Sequence, residues 1–337
     1  MKLLILTQKV DKEDAVLGFF HRWIEEFSKR YEFVTVICLE EGRYNLPKNT
    51  KILSLGKEDN HSRIKYLLKF YKYIWQERKN YDVVFVHMNQ EYVLLGWKFW
   101  RFWNKKIFLW RNHVKGNWMT RLAVLLSDKV FCTSPQSFTA RFEKTKIMPV
   151  GIDTDFFKPD PSVAKKLNSL LFLGRIAPVK NVDIFVEALR DLRDKGVEFS
   201  ATIAGGSSSK DTKYEKMIRE KVIEYNLENK VYFTGAVSQF EALDLYRKHE
   251  IYVNLTPTGG MDKTVFEAMA CKLIPVVYNF DLRAILDYEF LIKNLDSKDV
   301  AERLRQALDC GIKTDLRKFV IESHSLFKLI LNLKNSE

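Results

Sequence analysis

Apolar residues fall along the chain in two alternating rhythms. Short unbroken runs, KLLIL (2–6), VTVICL (34–39), NTKILSL (49–55), DVVFVHM (82–88), KIFLWRNH (106–113) and KVFCTS (129–134), are closed by polar residues and predict buried strands. Between them the apolar positions recur every three or four residues. Phe20, Trp23, Ile24 and Phe27 place a helix over 19–30, and the same spacing predicts helices over 63–79, 91–102 and 120–127. Strands alternating with helices imply a parallel sheet covered on both faces. The stretch PVGIDTDFFKPDPS (149–162) breaks this rhythm with Gly, Asp and Pro and reads as a linker. The rhythm then restarts, with strands over 169–174, 198–206, 230–235, 251–255 and 273–278. Helices are expected over 181–195, 213–225, 239–247, 262–271 and 298–308, a helical turn at 282–286, and a last helix from 316 to 333. The expected fold is α/β, with two doubly wound, Rossmann-like domains over 1–155 and 156–315 and a terminal segment, 316–337, whose helix packs back on the first. Open α/β sheets bind ligands outside the carboxyl ends of their strands, so the two domains are expected to face a central cleft.

Composition narrows the class. The chain is 46% hydrophobic with 14 Gly and 8 Pro in 337 residues, which excludes disordered and fibrous proteins. Cys38, Cys132, Cys271 and Cys310 stand far apart without metal-ligand or redox spacing and read as buried free thiols of a reducing compartment. The N-terminal apolar run is too short for a signal peptide, and no stretch approaches the roughly 20 apolar residues of a spanning helix. A cytoplasmic protein is expected.

Charge adds one local feature. The net charge is +12, and between His61 and Lys115 twelve Lys or Arg stand against three acids. Six of the seven tryptophans fall in or next to this stretch. RIKYLLKFYKYIWQERK has the form of a cationic amphipathic helix, and WKFWRFW is dense in Trp and Arg. Three readings stand: an anionic membrane surface on the cytoplasmic side, single-stranded nucleic acid held by stacking and charge, or a helix that packs on the sheet while its Lys side chains stay in water.

Candidate chemistry gathers in the second half. TPTGGMDKTVFEAMACKLIPVV (256–277) sets Gly259 and Gly260 just before a helix. Helix N-terminal N–H groups lack partners and favour an anion, and glycines admit a phosphate closely; an ordinary turn reads equally well. Arg175 and Lys180 lie just beyond the strand at 169–174, on the binding side of the sheet, where a fork and a point charge suit a diphosphate; the alternative is two solvated loop charges. Glu267 sits on an otherwise apolar helix face and needs donors, from ribose hydroxyls or from a structural partner. Asp262 near the helix start is favoured as an N-cap. His113 and His87 end strands of the first half. His87 and the nearby Glu91 are favoured as ordinary loop residues.

In order and spacing, FLGRIAPVKNVDIFVEAL, IAGG, VYFTGAVSQFEALDLYRKHEIYVNLTP and FEAMACKLIPVV resemble the carboxyl-terminal half of glycosyltransferase family four, of GT-B fold, and VGIDTDFFKP resembles its interdomain segment. The resemblance covers residues 149 to about 310. The first half matches in strand–helix order, in the glycine loop at Leu17–Gly18 and in a His at a strand end. The resemblance implies a nucleoside diphosphate sugar bound mostly by the second domain and an acceptor by the first, with no metal and no cofactor. It makes Arg175 and Lys180 the pair that neutralises the diphosphate, Glu267 the ribose ligand, and Val237 a contact to the base. Gly18, Gly259, Gly260 and Met261 become donor-binding positions, and His113 a residue beside the transferred sugar. No DxD-type carboxylate cluster stands at a strand end. One departure is plain. The family's first motif Glu falls at Gly259, and Asp262 is the nearest carboxylate that could substitute for it. Lys272 stands where the family usually ends the helix with Gly. The function expected is transfer of a sugar, with retention, from a nucleotide donor to a glycan or lipid-linked acceptor. Given that function, a membrane is favoured over nucleic acid as the partner of 61–115. A sugar-nucleotide epimerase on the same fold and a non-catalytic binding protein are the alternatives.

Overall fold

The computed structural model describes residues 1–257, 260–310 and 315–336. The chain divides into two compact units, Met1–Gly151 with Leu326–Glu337, and Ile152–Ser325.

Unit 1 is built on seven parallel strands, β1 (Lys2–Val10), β2 (Phe33–Glu41), β3 (Thr50–Ser54), β4 (Val83–His87), β5 (Lys106–Trp110), β6 (Lys129–Cys132) and β7 (Thr145–Ile147), in the order β3-β2-β1-β4-β5-β6-β7. Four helices connect them: α1 (Phe19–Ser28), α2 (Arg63–Gln76), α3 (Glu91–Phe102) and α4 (Trp118–Leu126). The period-two geometry of a strand explains why the runs are apolar throughout rather than alternating. Leu3 and Ile5 of β1 enter one core with Trp23 and Phe27 of α1, while Leu4 and Leu6 enter another with Phe70 and Ile74 of α2, Trp100 of α3 and Val124 of α4. Each such side chain taken fully out of water contributes roughly 1.5–3 kcal/mol, so both faces are pinned. The short edge strand β7 was not expected. Its sequence, TKI, is three residues long and largely exposed, too little for a periodic signal.

Unit 2 repeats the plan with five parallel strands, β8 (Ser169–Leu173), β9 (Ser200–Ala204), β10 (Val231–Gly235), β11 (Ile251–Asn254) and β12 (Ile274–Val277), in the order β10-β9-β8-β11-β12. The helices are α5 (Val182–Asp194), α6 (Thr212–Glu224), α7 (Gln239–Lys248), α8 (Lys263–Ala270) and α9 (Ser297–Cys310). A single core cluster joins Phe172, Ile203 and Val253 of the strands to Phe185 and Leu189 of α5 and Leu304 of α9.

The terminal segment departs from expectation. A continuous helix over 316–333 is replaced by α10 (Leu316–Phe319), a π-turn at Val320–His324, extended backbone at Ser325 (ψ 153°), and then α11 (Leu326–Lys334). Residues 316–324 stay in unit 2 because Arg317 binds there, its guanidinium donating to the carbonyls of Thr154 (3.0 Å), Phe157 (2.9 Å) and Ala270 (2.6 Å). Ser325 bridges Ile152, so the chain leaves unit 2 beside the point where it entered. Only α11 returns to unit 1, where it packs along α1 and buries Leu326, Leu329, Ile330 and Leu333. The boundaries therefore fall at 151/152 and 325/326 rather than at 155/156 and 315/316.

The end of α8 carries a second irregularity. The Leu273 N–H donates to the Ala268 carbonyl (3.0 Å) and the Lys272 N–H to that of Met269 (3.0 Å), a double closure that forces Lys272 into the left-handed region at φ +61°. Replacement Lys272→Gly is expected to raise unfolding stability by about 1 kcal/mol, the cost of a Cβ in that region. Arg317→Ala is expected to lower it by about 1.5–3 kcal/mol, the range for hydrogen bonds from a charged donor. Urea titration of each variant against the parent chain checks both, and opposite signs are required.

Candidate active site

A doubly wound sheet opens a crevice where its strand order reverses. In unit 2 the reversal lies between β8 and β11. The loops leaving these two strands carry five of the ten expected site residues: Arg175 and Lys180 after β8, and Gly260, Met261 and Asp262 after β11, ahead of α8. Gly259 lies outside the described residues.

These two loops are tied together by polar side chains. Lys180 Nζ donates to Asp262 Oδ2 at 2.7 Å, and Asn254 Nδ2 reaches the same oxygen at 3.1 Å. Asp262 Oδ1 accepts from the Thr264 hydroxyl at 2.9 Å. Asn181, in the left-handed region at φ +53°, donates to the Leu255 carbonyl at 2.7 Å and so ties the β8 loop to the end of β11. The N-cap reading of Asp262 is therefore half met. The residue occupies the N-cap position of α8, yet its side chain makes no capping bond and is spent on Lys180, Asn254 and Thr264. Burial alone would raise its pKa; the Lys180 charge and the three donors outweigh that and hold it below the usual carboxylate range. Asp262 is thus anionic at neutral pH and fixes the Lys180 ammonium at the crevice.

Arg175 is exposed on the same loop, and among the described residues it has no hydrogen-bond or ion-pair partner. Its backbone is fixed from behind: the Gly174 N–H donates to the Ala204 carbonyl (2.9 Å) and the Ile176 N–H to the Gly206 carbonyl (3.1 Å). A methyl group on Gly205, at φ +137°, would collide with the Gly174 carbonyl oxygen, so that position admits glycine alone. Gly260 is buried with φ +104°, and its carbonyl accepts from Asn279 Nδ2 at 3.5 Å. Val237 lies in the loop leaving β10, half-buried, just before α7, whose N-terminus is closed by a reciprocal Ser238–Glu241 pair.

Glu267, on the second turn of α8, is 7% exposed, and its Oε2 accepts from the Tyr246 hydroxyl at 3.1 Å. Burial pushes that phenol well above its ordinary pKa, and the facing carboxylate pushes it further, so Tyr246 is a neutral donor. One turn earlier, burial lowers the pKa of Lys263 while Glu267 works against that shift. The structural partner anticipated for Glu267 is thus present. Asn254, Thr264, Asn181 and Tyr246 carry this network and were not singled out from the sequence. The signal available was a polar Asn closing the apolar run IYVN.

In unit 1 the reversal lies between β1 and β4. Gln8 Nε2 donates to Asn89 Oδ1 (3.1 Å) across it. His87 is buried there, 3.2 Å from the Thr7 hydroxyl and stacked on Phe20 at 4.1 Å between centroids, which is a packing role. Gly18 opens α1 on the same side of the sheet, in a loop held by Asp14, which accepts from the Val16 and Leu17 N–H groups and from Lys9. His113 is exposed beyond β5, and its Nδ1 accepts from the Lys115 N–H at 2.9 Å.

Known proteins supply the remaining information. The chain is 27% identical over 162 residues to an uncharacterized glycosyltransferase of Methanocaldococcus jannaschii, covering 48% of this chain and 43% of that one. It is 28% identical over 159 residues to a lipopolysaccharide core biosynthesis mannosyltransferase of Rhizobium meliloti, covering 44% of each. The matched stretch thus spans less than half the length of these relatives. Among solved structures, the Anabaena protein HepE in complex with UDP and glucose superposes with a TM-score of 0.79 at 17% identity, over 100% of this chain and 99% of that one. WaaG, a glycosyltransferase involved in lipopolysaccharide biosynthesis, superposes with a TM-score of 0.69 at 14% identity over 99% of each chain. Both likenesses establish the GT-B fold. The model for glycosyl transferases group 1 matches residues 153–323, just over half of the 337-residue chain, and the protein belongs to that family.

Proposed function

We propose that this protein transfers a sugar, with retention and without a metal, from a nucleoside diphosphate sugar to a glycan or lipid-linked acceptor, unit 2 holding the donor and unit 1 the acceptor. The observation that carries the reading is the pair of cations at the reversal of the unit 2 sheet: Arg175 exposed and without a protein anion among the described residues, Lys180 fixed by Asp262. Beside them α8 begins at the same end of the sheet, and the positive end of its dipole would add to the charge already in place for a departing diphosphate. Solved relatives of this fold bind UDP, with glucose or as UDP-glucose, and we extend that donor class to this chain. The Asp262 carboxylate is committed to Lys180, so its role is to position that ammonium rather than to replace the carboxylate absent at Gly259. Glu267 would hold ribose hydroxyls while keeping its bond from Tyr246, Val237 would meet the base, and Gly18, Gly260 and Met261 would offer backbone to the donor. His113 would serve the transferred sugar. The protein is proposed to work in the cytoplasm, as the buried free thiols of Cys38, Cys132 and Cys271 suggest, at an anionic membrane met by 61–115. No described helix is long and apolar enough to cross a membrane.

Incubation with UDP-glucose and GDP-mannose, with and without membrane glycolipid extract, tests the reading. Acceptor-dependent release of nucleoside diphosphate, unaffected by EDTA, is expected. Release of free sugar or of an epimer without acceptor would overturn it. Arg175→Ala and Lys180→Ala are each expected to lower turnover by on the order of 10²-fold, the usual cost of removing one preorganised charge. Near-parental rates in both folded variants would remove the diphosphate assignment.

Glu267→Gln separates ribose binding from a structural duty. The amide still accepts from Tyr246, so the melting temperature should hold. Charge-assisted bonds to two ribose hydroxyls, roughly 1.5–3 kcal/mol each, would be weakened, and calorimetry should record a nucleoside diphosphate Kd raised by at least tenfold. Unchanged affinity with a lowered melting temperature would make Glu267 structural only.

A further inference from the structure

Helices α2, α3 and α4 cover one face of the unit 1 sheet with Phe70, Ile74, Trp100 and Val124 turned inward. Their outward side is also apolar. On α2, Ile64, Leu67, Leu68 and Trp75 are exposed, a stripe at helical spacing that flanks the buried Phe70 and Ile74. On α4, Trp118, Leu122 and Leu125 form a second exposed stripe at i, i+4, i+7. On α3, Phe99 and Phe102 are exposed one turn apart. Ile64 is 72% exposed, Phe102 86% and Trp118 70%.

The three helices are neighbours. Tyr71 meets Phe99, and Trp75 meets Trp103, each at 5.6 Å between centroids. Arg101 of α3 donates to Asp128 just beyond α4 at 2.8 Å. Scattered apolar residues on a surface need no explanation, but periodic stripes on adjacent helices mark an interaction face. Exposed cations lie among them: Arg63, Lys65 and Lys72 on α2, Lys98 on α3 and Arg121 on α4. Two copies of this face would bring like charges together, which disfavours self-association. An anionic bilayer surface complements the charge and accepts the apolar tips.

We propose that the outward face of α2, α3 and α4 inserts its apolar side chains into the interfacial layer of an anionic membrane instead of resting on it by charge alone. The proposal rests on the membrane reading given above and sharpens it: the face extends beyond Lys115 to α4, and Trp118 and Leu125 enter the lipid. Two forces then hold the protein, and they respond differently to salt. Attraction between Lys or Arg and the leaflet fades as the screening length falls from about 10 Å at 0.1 M to about 3 Å at 1 M salt. Apolar insertion does not.

The test is cosedimentation of the full chain with phosphatidylcholine vesicles, with and without phosphatidylglycerol, at about 0.1 and 1 M salt, together with tryptophan quenching by brominated lipid. Binding to the anionic vesicles is expected at low salt, with a fraction that persists at high salt and is quenched. The triple variant Phe102→Ser, Trp118→Ser, Leu125→Ser should lose at least about tenfold of the persistent partitioning. These side chains are exposed, so its melting temperature should match the parent. Complete release at high salt without quenching would overturn insertion and leave charge-driven membrane binding standing. Binding by the triple variant equal to the parent would also overturn insertion. Vesicles ignored at both salts would overturn insertion and the membrane reading together, whether the face then proves to hold an oligonucleotide or a second copy.

Discussion

When the strand order of a parallel sheet reverses, the connections on either side of the reversal run to opposite faces, and no helix covers the carboxyl ends there. That uncovered edge governs this molecule twice, between β1 and β4 and between β8 and β11. Backbone groups at such an edge must be satisfied by loops, and in unit 2 they are. Gly205 lets the ends of β8 and β9 lie against one another, while Asn181 fastens the β8 loop to the end of β11. What is left facing outward is cationic: Arg175, Lys180 and the start of α8.

The polar network behind those cations resolves a conflict between burial and charge. Asp262 lies in a setting that penalises its carboxylate, and four electrostatic and hydrogen-bond contributions reverse the penalty. Its partner Lys180 is thereby held in one place rather than left as a mobile surface side chain. A cation already oriented before the donor arrives loses less entropy on binding and reorganises less as charge develops on a leaving group. Glu267 and Tyr246 form a second, deeper pair behind the first, and Tyr252, whose hydroxyl donates to the Leu173 carbonyl or bonds the Thr264 hydroxyl, links that layer to β8.

Unit 1 solves a different problem. Its helical layer α2–α4 is apolar toward the sheet and apolar again toward the outside, whereas α1 and α11 on the opposite face bury their apolar sides against the strands. The Lys and Arg residues between the stripes keep the face compatible with water.

Hydrophobic periodicity in the sequence determined the α/β class, the break after the first half and nearly every strand, because buried parallel strands and amphipathic helices write their burial directly into residue order. Segments too short to repeat, such as β7, left no trace. The sequence also determined which residues carry unusual charge or freedom: Arg175, Lys180, the glycine pair before α8, and the basic, aromatic stretch from His61. Tertiary structure decided what those residues do with one another. Sequence could not set Lys180 against Asp262, 82 positions away, nor show that Asn254 and Tyr246 hold that network, since pairing across a reversal depends on strand order rather than on spacing. It could not divide α2 into an inner and an outer apolar stripe, because the sheet that claims one of them is assembled from distant strands. Nor could it end the terminal helix at Ser325, where three backbone carbonyls of unit 2 hold Arg317 and keep that turn from following α11.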